Sequence, residues 1–254
     1  MLNLLISGCN GHMGRVLAQI CREAEDVEVT AGFDLLGQEN EDFPVFSSPS
    51  AYPGQADALI DFSAPAALPA LLDFGKERNV PLVLATTGYS PEQLALIEAA
   101  SKEVPIFRSG NMSLGINVLA GLVRKAAAAL GEDFDIEIVE RHHRRKVDAP
   151  SGTAILLAEE AAASLSCELK YVYERQSVRK PRGKREIGIS SVRGGNIVGD
   201  HEVIFAGRDE VIELKHSAMS REVFASGALR AARFLAEVGA PGLYSMTDLV
   251  GQII

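Results

Sequence analysis

The first half of the chain alternates short apolar runs with segments of helical periodicity. The apolar runs are rich in Val, Leu and Ile and predict buried strands at residues 2–7, 27–33, 58–62, 81–85 and 104–107. Apolar side chains at helical spacing predict the intervening helices, at residues 12–25, 65–78 and 91–102. This alternation favours a parallel sheet covered on both faces, so we expect an α/β domain with a doubly wound sheet.

The pattern changes after about residue 113. Residues 114–130 predict a long alanine-rich helix, and residues 134–140 alternate as a strand. The next predicted elements are a helix at 152–165 and strands at 169–173, 187–192, 201–205 and 211–216. Because short turns join the later strands, we predict a second, α+β domain with a mixed or antiparallel sheet. Residues 221–237 predict a final long helix, whose domain the pattern does not reveal.

Composition is that of a globular protein, with 47% hydrophobic and 23% charged residues and a net charge of −9. The acidic balance argues against general affinity for nucleic acid or for a membrane surface. We find no apolar run of the roughly 20 residues that span a bilayer, and residues 2–6 are too short for a signal-peptide core. Cys9, Cys21 and Cys167 form no CxxC pair, so we expect free thiols and a cytoplasmic location.

A glycine-rich turn lies between the first predicted strand and the first predicted helix. Gly8 to Gly14 reads Gly-Cys-Asn-Gly-His-Met-Gly, a variant of the Rossmann fingerprint in which glycines let the backbone approach a pyrophosphate at the helix N-terminus. Asp34 ends the second strand about 20 residues later, where a carboxylate usually accepts hydrogen bonds from the adenosine ribose. Leu35 and Leu36 follow it. Since no arginine stands there to meet a 2′-phosphate, we predict NADH rather than NADPH; a turn without a ligand is the alternative.

Two polar segments follow later predicted strands. Thr86-Thr87-Gly88 comes after the fourth strand, and Gly110-Asn111-Met112-Ser113 comes after the fifth. Ligands of open α/β sheets lie beyond the carboxyl ends of the strands, which makes these residues candidate cofactor contacts. Ordinary turn chemistry explains them equally well.

Residues 140–154 are a basic exception in an acidic chain. They read Glu-Arg-His-His-Arg-Arg-Lys-Val-Asp-Ala-Pro-Ser-Gly-Thr-Ala. Ser151 can cap a helix that begins at Gly152, whose first N–H groups, with the Thr153 hydroxyl, would form a seat for a carboxylate or phosphate. Lys146 offers three donors and can act as a general acid. The combination suits a small, doubly negative substrate that must be held and protonated.

The neighbouring histidines allow two arrangements. On an extended strand His142 and His143 would face opposite ways, whereas a turn could bring both into one cleft. We expect no metal site, because the histidines lack helical i, i+4 spacing and no third ligand is near in sequence. Arg144 and Arg145 are interpreted as solvated surface charge. No aromatic residue interleaves the cluster, which counts against nucleic-acid binding.

The pattern Glu-x-His-His-x-x-Lys-x-Asp-x-Pro-Ser-Gly-Thr-Ala closely resembles the signature of the dihydrodipicolinate reductases, also called 4-hydroxy-tetrahydrodipicolinate reductases. The resemblance covers nearly the whole chain, including the glycine-rich turn and residues 85–88, 110–113, 195–201 and 242–248. Two positions depart from it. Ala85 stands where glycine is common, and Leu35 stands where arginine is often found.

The resemblance implies an NAD(P)H-dependent oxidoreductase that reduces the cyclic dicarboxylate 4-hydroxy-tetrahydrodipicolinate to tetrahydrodipicolinate, with loss of water, on the diaminopimelate route to lysine. It implies that His142 is the catalytic proton donor and acceptor and that Lys146 is a proton donor. His143 would bind the substrate together with the seat formed by Ser151, Gly152 and Thr153. The implied cofactor contacts are Gly8, Cys9, Asn10, Gly11, His12, Met13, Asp34, Ala85, Thr86, Thr87, Gly110, Asn111, Met112 and Ser113.

The resemblance also implies a homotetramer assembled through the second domain, and a final helix that returns to the first. The expected domains are a dinucleotide-binding domain at 1–113 and 221–254 and a substrate-binding and oligomerisation domain at 114–220. Two alternatives remain: another two-domain NAD(P) oxidoreductase, acting on a sugar or an aldehyde, or a non-catalytic NAD-sensing protein. Thioester chemistry would need a placed cysteine nucleophile, which neither Cys9 nor Cys167 provides. A sensor would have no need of the histidines, the lysine and the anion seat.

Overall fold

The computed structural model describes residues 1–35 and 42–251, which form two compact units. The first unit comprises Met1–Leu114 and Glu222–Ile254, and the second comprises Gly115–Arg221. The C-terminal segment therefore returns to the first unit, which the hydrophobic pattern alone does not indicate. The functions assigned above to the two domains stay predictions.

A seven-stranded sheet forms the centre of the first unit. Its strands are β1 (Leu2–Ser7), β2 (Val27–Phe33), β3 (Val45–Phe46), β4 (Ala58–Asp61), β5 (Leu82–Leu84), β6 (Pro105–Arg108) and β12 (Gly242–Tyr244). Their spatial order is β12-β6-β5-β4-β1-β2-β3, and the pairings among the described residues are all parallel. The strand order reverses between β1 and β4. Open α/β sheets bind ligands beyond the carboxyl ends of the strands at such a switch point.

Helices cover both faces of this sheet. The helices of the first unit are α1 (His12–Glu23), α2 (Leu68–Arg78), α3 (Pro91–Ala100), α6 (Glu222–Val238) and α7 (Met246–Gly251). Leu59 of β4 belongs to the apolar cluster that holds Leu71 of α2 and Ile97 of α3. The next residue, Ile60, points to the opposite face and is also fully buried. Because both faces are covered, the strands read as continuous apolar runs, as predicted.

The second unit is built on a five-stranded mixed sheet. Its strands are β7 (Asp135–His142), β8 (Lys170–Val172), β9 (Glu186–Arg193), β10 (Gly199–Ala206) and β11 (Val211–Ala218). The order is β11-β10-β7-β9-β8. The strand β10 pairs antiparallel with β7 and β11, while β9 pairs parallel with β7 and β8. The predicted fold class, a doubly wound parallel sheet plus an α+β domain, is confirmed.

Two helices supply the core of the second unit. They are α4 (Leu114–Leu130) and α5 (Gly152–Ala162). Every second residue of β7 is buried, and Ile138 packs in one cluster with Val123 of α4 and Leu157 of α5. The segment Leu114–Asp133 is long and apolar enough to cross a membrane by length and composition alone. Ile116, Leu119 and Val123 of this segment pack in the core of the second unit.

The differences from the sequence prediction concern short elements and element ends. The elements β3, β12 and α7 were not predicted, because two, three and six residues are too few to show a period. The helix α5 ends at Ala162 rather than at residue 165. The predicted helix at 65–78 begins as a 3₁₀ turn, Pro65–Ala67.

Candidate active site

The glycine-rich turn is folded by close backbone contacts. Gly8 has φ +74°, a left-handed conformation that favours glycine, and its carbonyl accepts a hydrogen bond of 3.0 Å from the Gly11 N–H. A Cβ on Gly14 would collide with the Gly8 carbonyl oxygen. Gly11 is the N-cap of α1, is exposed, and has no side chain to cap the first N–H groups of the helix, at His12 and Met13. This bare, positive helix end fits a pyrophosphate.

Asp34 follows β2 and reaches the same turn. Its Oδ2 accepts a hydrogen bond of 3.2 Å from the Asn10 N–H. Leu35, the next residue, is 91% exposed, while Leu36 lies outside the described residues. Burial, with a smaller contribution from the Asp34 charge, raises the pKa of Cys9 to about 11. Cys9 is therefore a neutral thiol near pH 7, which agrees with its rejection as a nucleophile.

The two polar segments after later strands lie at the same edge of the sheet. Ala85 follows β5 and donates its N–H to the Asp61 carbonyl (3.0 Å), and Thr86 and Thr87 come directly after it. The segment from Gly110 to Ser113 follows β6, where the Asn111 side-chain oxygen accepts from the Ser113 N–H (2.8 Å). Since the strands are parallel, these segments, the glycine-rich turn and Asp34 lie at the carboxyl edge of one sheet. The structure thus brings together all the predicted cofactor contacts.

Sequence reasoning missed two residues at this edge. Asp61 ends β4, is fully buried, and accepts hydrogen bonds from the Ser63 N–H (3.1 Å) and hydroxyl (2.5 Å). Its other oxygen accepts from the Tyr89 hydroxyl at 3.4 Å. Burial and the Asp61 charge raise the pKa of Tyr89, so the phenol stays protonated. The available signal was the carboxylate of Asp61 at the end of an otherwise apolar strand.

In the second unit, strand geometry pairs a carboxylate with the predicted catalytic histidine. Successive strand residues point to opposite faces, so Glu140 and His142 share the buried face of β7. His142 is 8% exposed, and its Nδ1 lies 2.6 Å from Glu140 Oε2. The Glu140 carboxylate is fully buried and is bound by both terminal nitrogens of Arg193, at 2.7 and 2.8 Å. Burial alone would raise the pKa of Glu140, but the bonds from Arg193 and His142 outweigh it and lower the pKa to about 2.

The N-terminus of α5 begins where the sequence predicts. The Ser151 hydroxyl accepts from the Ala154 N–H (3.1 Å), which confirms the predicted cap, and the Ser151 N–H donates to Glu140 Oε1 (3.1 Å). Gly152 is exposed, and a Cβ there would meet no atom within 4 Å, so the space beside its backbone is open. Thr153 follows, half-buried. Ser151 itself is 2% exposed, so its hydroxyl stabilises the N-terminus of α5 from inside the core, while Gly152 presents the surface that is open to an anion.

A second buried histidine, which the sequence analysis did not single out, backs this helix end. His201 of β10 is 4% exposed, and its Nε2 lies 2.9 Å from the Ser151 hydroxyl. Its ring meets the His142 ring edge-on, with centroids 5.1 Å apart. Burial, and secondarily charge at His142, lowers the pKa of His201 to about 4. His201 is therefore neutral near pH 7, and the Ser151 O–H can donate to its Nε2.

The remaining predicted residues lie in the turn after β7. His143 is half-buried, and desolvation followed by the neighbouring cations, first Arg145, lowers its pKa. Lys146 Nζ is 2.8 Å from Asp148 Oδ2, and this ion pair lowers the pKa of Asp148. Arg144 is exposed, as is Arg145, in agreement with their interpretation as surface charge. The turn thus carries a cationic patch next to His142 in the chain.

In residues 1–35 and 42–251, no group of three His, Cys, Asp or Glu side chains is arranged to hold a metal ion. All three cysteines are free, as predicted.

The first unit thus carries a glycine-rich turn and an acidic strand end, and the second a histidine–carboxylate pair beside an open helix N-terminus. These features define the class of two-domain, Rossmann-type oxidoreductases. Residues 2–112 match the family model for the N-terminus of dihydrodipicolinate reductase, and residues 115–250 match that for its C-terminus. The chain therefore belongs to the dihydrodipicolinate reductase family, which confirms the resemblance.

Individual relatives agree over the full length. The chain is 49% identical over 253 residues to the 4-hydroxy-tetrahydrodipicolinate reductase of Clostridium tetani, covering 99% of this chain and 98% of the relative. It is 53% identical over 251 residues to the enzyme of that name from Caldanaerobacter subterraneus subsp. tengcongensis, covering 98% of each. Its fold is similar to that of a dipicolinate-bound dihydrodipicolinate reductase from Paenisporosarcina sp. TG-14, with a TM-score of 0.82, 24% identity and coverage of 98% and 99%.

Proposed function

We propose that this chain is a 4-hydroxy-tetrahydrodipicolinate reductase of lysine biosynthesis through diaminopimelate. It reduces the cyclic dicarboxylate 4-hydroxy-tetrahydrodipicolinate to tetrahydrodipicolinate, with loss of water, and uses NAD(P)H as the reductant. The observation that carries the proposal is the segment from Glu140 to Ala154. This segment brings His142, Lys146 and the open N-terminus of α5 together in the second unit, and the chain belongs to the dihydrodipicolinate reductase family. A cytoplasmic location and a homotetramer assembled through the second unit are part of the proposal.

The first unit binds the cofactor. When bound, the reduced nicotinamide supplies the hydride. The backbone from Gly8 to Met13 holds the pyrophosphate, because glycines keep the turn narrow and the N-terminus of α1 carries no side-chain cap. Asp34 accepts from the adenosine ribose, and the segments 85–87 and 110–113 bind the remainder of the dinucleotide.

The second unit binds and protonates the substrate. One carboxylate of the substrate lies at the N-terminus of α5, against Gly152 and Thr153, where the helix dipole and the N–H groups favour negative charge. His143 binds the substrate as a further donor. An acid near the substrate ring would neutralise the negative charge that reduction of the ring develops. His142 and Lys146 are the two candidate acids, and their order of action is left open.

The test of this function is a coupled assay. NADH and NADPH oxidation would be followed in the presence of the condensing enzyme that makes the substrate from pyruvate and aspartate semialdehyde. Oxidation that depends on the condensing enzyme supports the proposal. The absence of oxidation with either cofactor would refute it, and intact cofactor binding would then favour a sensor.

The role of Lys146 is tested in the same assay. We expect K146A to lower kcat by about 10²–10⁴, the usual worth of a general acid, with little change in the Kd of the cofactor. The matched control is K170A, which removes an exposed lysine from β8 of the same unit. An unchanged kcat in K146A would refute the assignment.

We also propose a preference for NADH. Asp34 points its carboxylate at the glycine-rich turn, and Leu35 offers no positive charge, so a 2′-phosphate would meet the negative charge of Asp34 with no cation at the next position. We expect a higher kcat/KM with NADH than with NADPH, and D34S should narrow the difference. A wild-type preference for NADPH would contradict this reasoning.

A further inference from the structure

The fully buried Glu140 carboxylate holds two parts of the site at once. Its Oε2 accepts from His142 Nδ1 (2.6 Å), and its Oε1 accepts from the Ser151 N–H (3.1 Å). Arg193 binds both oxygens, and its NH2 group also donates to the Asp148 carbonyl at 2.7 Å. The carboxylate thus links the predicted acid–base group to the first residue of the anion seat and to the turn between them.

The ionisation state of the Glu140 carboxylate decides which ring nitrogen of His142 carries a proton. The bidentate bond from Arg193 favours the ionised form, and an ionised carboxylate can only accept hydrogen bonds. The proton between Glu140 and His142 therefore belongs to Nδ1. In the neutral imidazole, Nε2 is then the nitrogen that can take up and release a proton.

A glycine lies next to the opposite side of the ring. A Cβ on the buried Gly199 of β10 would lie 3.0 Å from His142 Nε2, closer than nearly all real contacts of this kind. A side chain at this position would press on the nitrogen that exchanges the proton. Glu140 thus holds the Nδ1 side of the ring, and Gly199 places no side chain against Nε2.

We propose that Glu140 is the positioning residue of His142. It fixes the Nδ1–H tautomer, and it holds the imidazole ring in a defined orientation relative to the N-terminus of α5. The inference rests on the proposed function in so far as it concerns catalysis. Glu140 does not touch the substrate. It acts through His142, as the carboxylates of other acid–base dyads orient an imidazole and stabilise the imidazolium that forms.

The experiment separates positioning from mere structural support. We would record the ¹⁵N shifts of the His142 ring, assigned by comparison with H142N, together with kcat and the Kd of NADH, in wild type, E140Q and E202Q. Glu202 is the matched control, because it is a partly buried carboxylate on the adjacent strand that binds Arg141 at 2.9 Å. Glutamine can donate as well as accept, so E140Q no longer dictates which ring nitrogen is protonated.

We expect the Nδ1–H tautomer in wild type and E202Q and its loss in E140Q. The kcat of E140Q should fall roughly 10²-fold or more, with an unchanged Kd for NADH. A wild-type His142 in the Nε2–H form would overturn the inference even if E140Q does not fold. An E140Q protein that keeps the wild-type tautomer and kcat would also overturn it. An inactive wild type counts against the proposed function instead, while its ring shifts still test the tautomer.

Discussion

Replacing Ser151 with alanine should destabilise the second unit by more than the loss of a helix cap. The Ser151 hydroxyl accepts from the Ala154 N–H and lies 2.9 Å from His201 Nε2. Losing an N-cap of this kind costs about 1 kcal/mol. The buried Nε2 of His201 would also lose its hydrogen-bond partner, which costs about 1–3 kcal/mol in addition. We therefore expect S151A to lower the free energy of unfolding by roughly 2–4 kcal/mol.

The assay is urea unfolding followed by circular dichroism at pH 7.5. A loss of this size moves the midpoint by on the order of 1 M at unchanged m. The control is S164A in the same unit, which removes a half-buried hydroxyl bonded to the Glu160 carbonyl at 3.2 Å and should stay within about 0.5 kcal/mol of wild type. If S151A were no more destabilising than S164A, neither the cap nor the buried hydrogen bond to His201 would contribute to the free energy of unfolding, and this prediction would be refuted.

Two further predictions concern pH and the cofactor. Burial lowers the pKa of His201 to about 4, whereas a histidine of the unfolded chain has a pKa of roughly 6.5 and binds more protons. His201 alone therefore lowers the free energy of unfolding by about 2 kcal/mol from pH 7 to pH 5. In H201Q, which keeps an acceptor for Ser151, this contribution should vanish and the fall should be smaller than in wild type; equal slopes in urea titrations would refute it. A Cβ on Gly14 would collide with the Gly8 carbonyl, so G14A should abolish NADH binding in fluorescence titrations. G121A, where a Cβ meets nothing within 4 Å, should bind as wild type does, and tight binding by G14A would contradict the close-packed turn.

Local patterns predicted much of the fold and part of the site. The glycine-rich turn and the Ser151 cap were readable because each depends on neighbours within a few residues, and Asp34 was readable because it ends a predicted strand at a characteristic spacing from that turn. The pairing of Glu140 with His142 was also readable, since strand residues two apart share a face. The same period that turns His143 away from His142 puts Glu140 on the face of His142.

The sequence by itself determined the strand and helix pattern, the helix end that can hold an anion, and the residues available for proton transfer. Only the tertiary structure decided what surrounds them. Arg193 is brought opposite His142 by the parallel pairing of β7 with β9, and His201 opposite Glu140 by the antiparallel pairing with β10. Arg193 and His201 lie 50 or more positions from the residues that they bind. Periodicity constrains which face a residue occupies, whereas strand order and register depend on how the whole core packs, so the charge and tautomer of the site are properties of the fold.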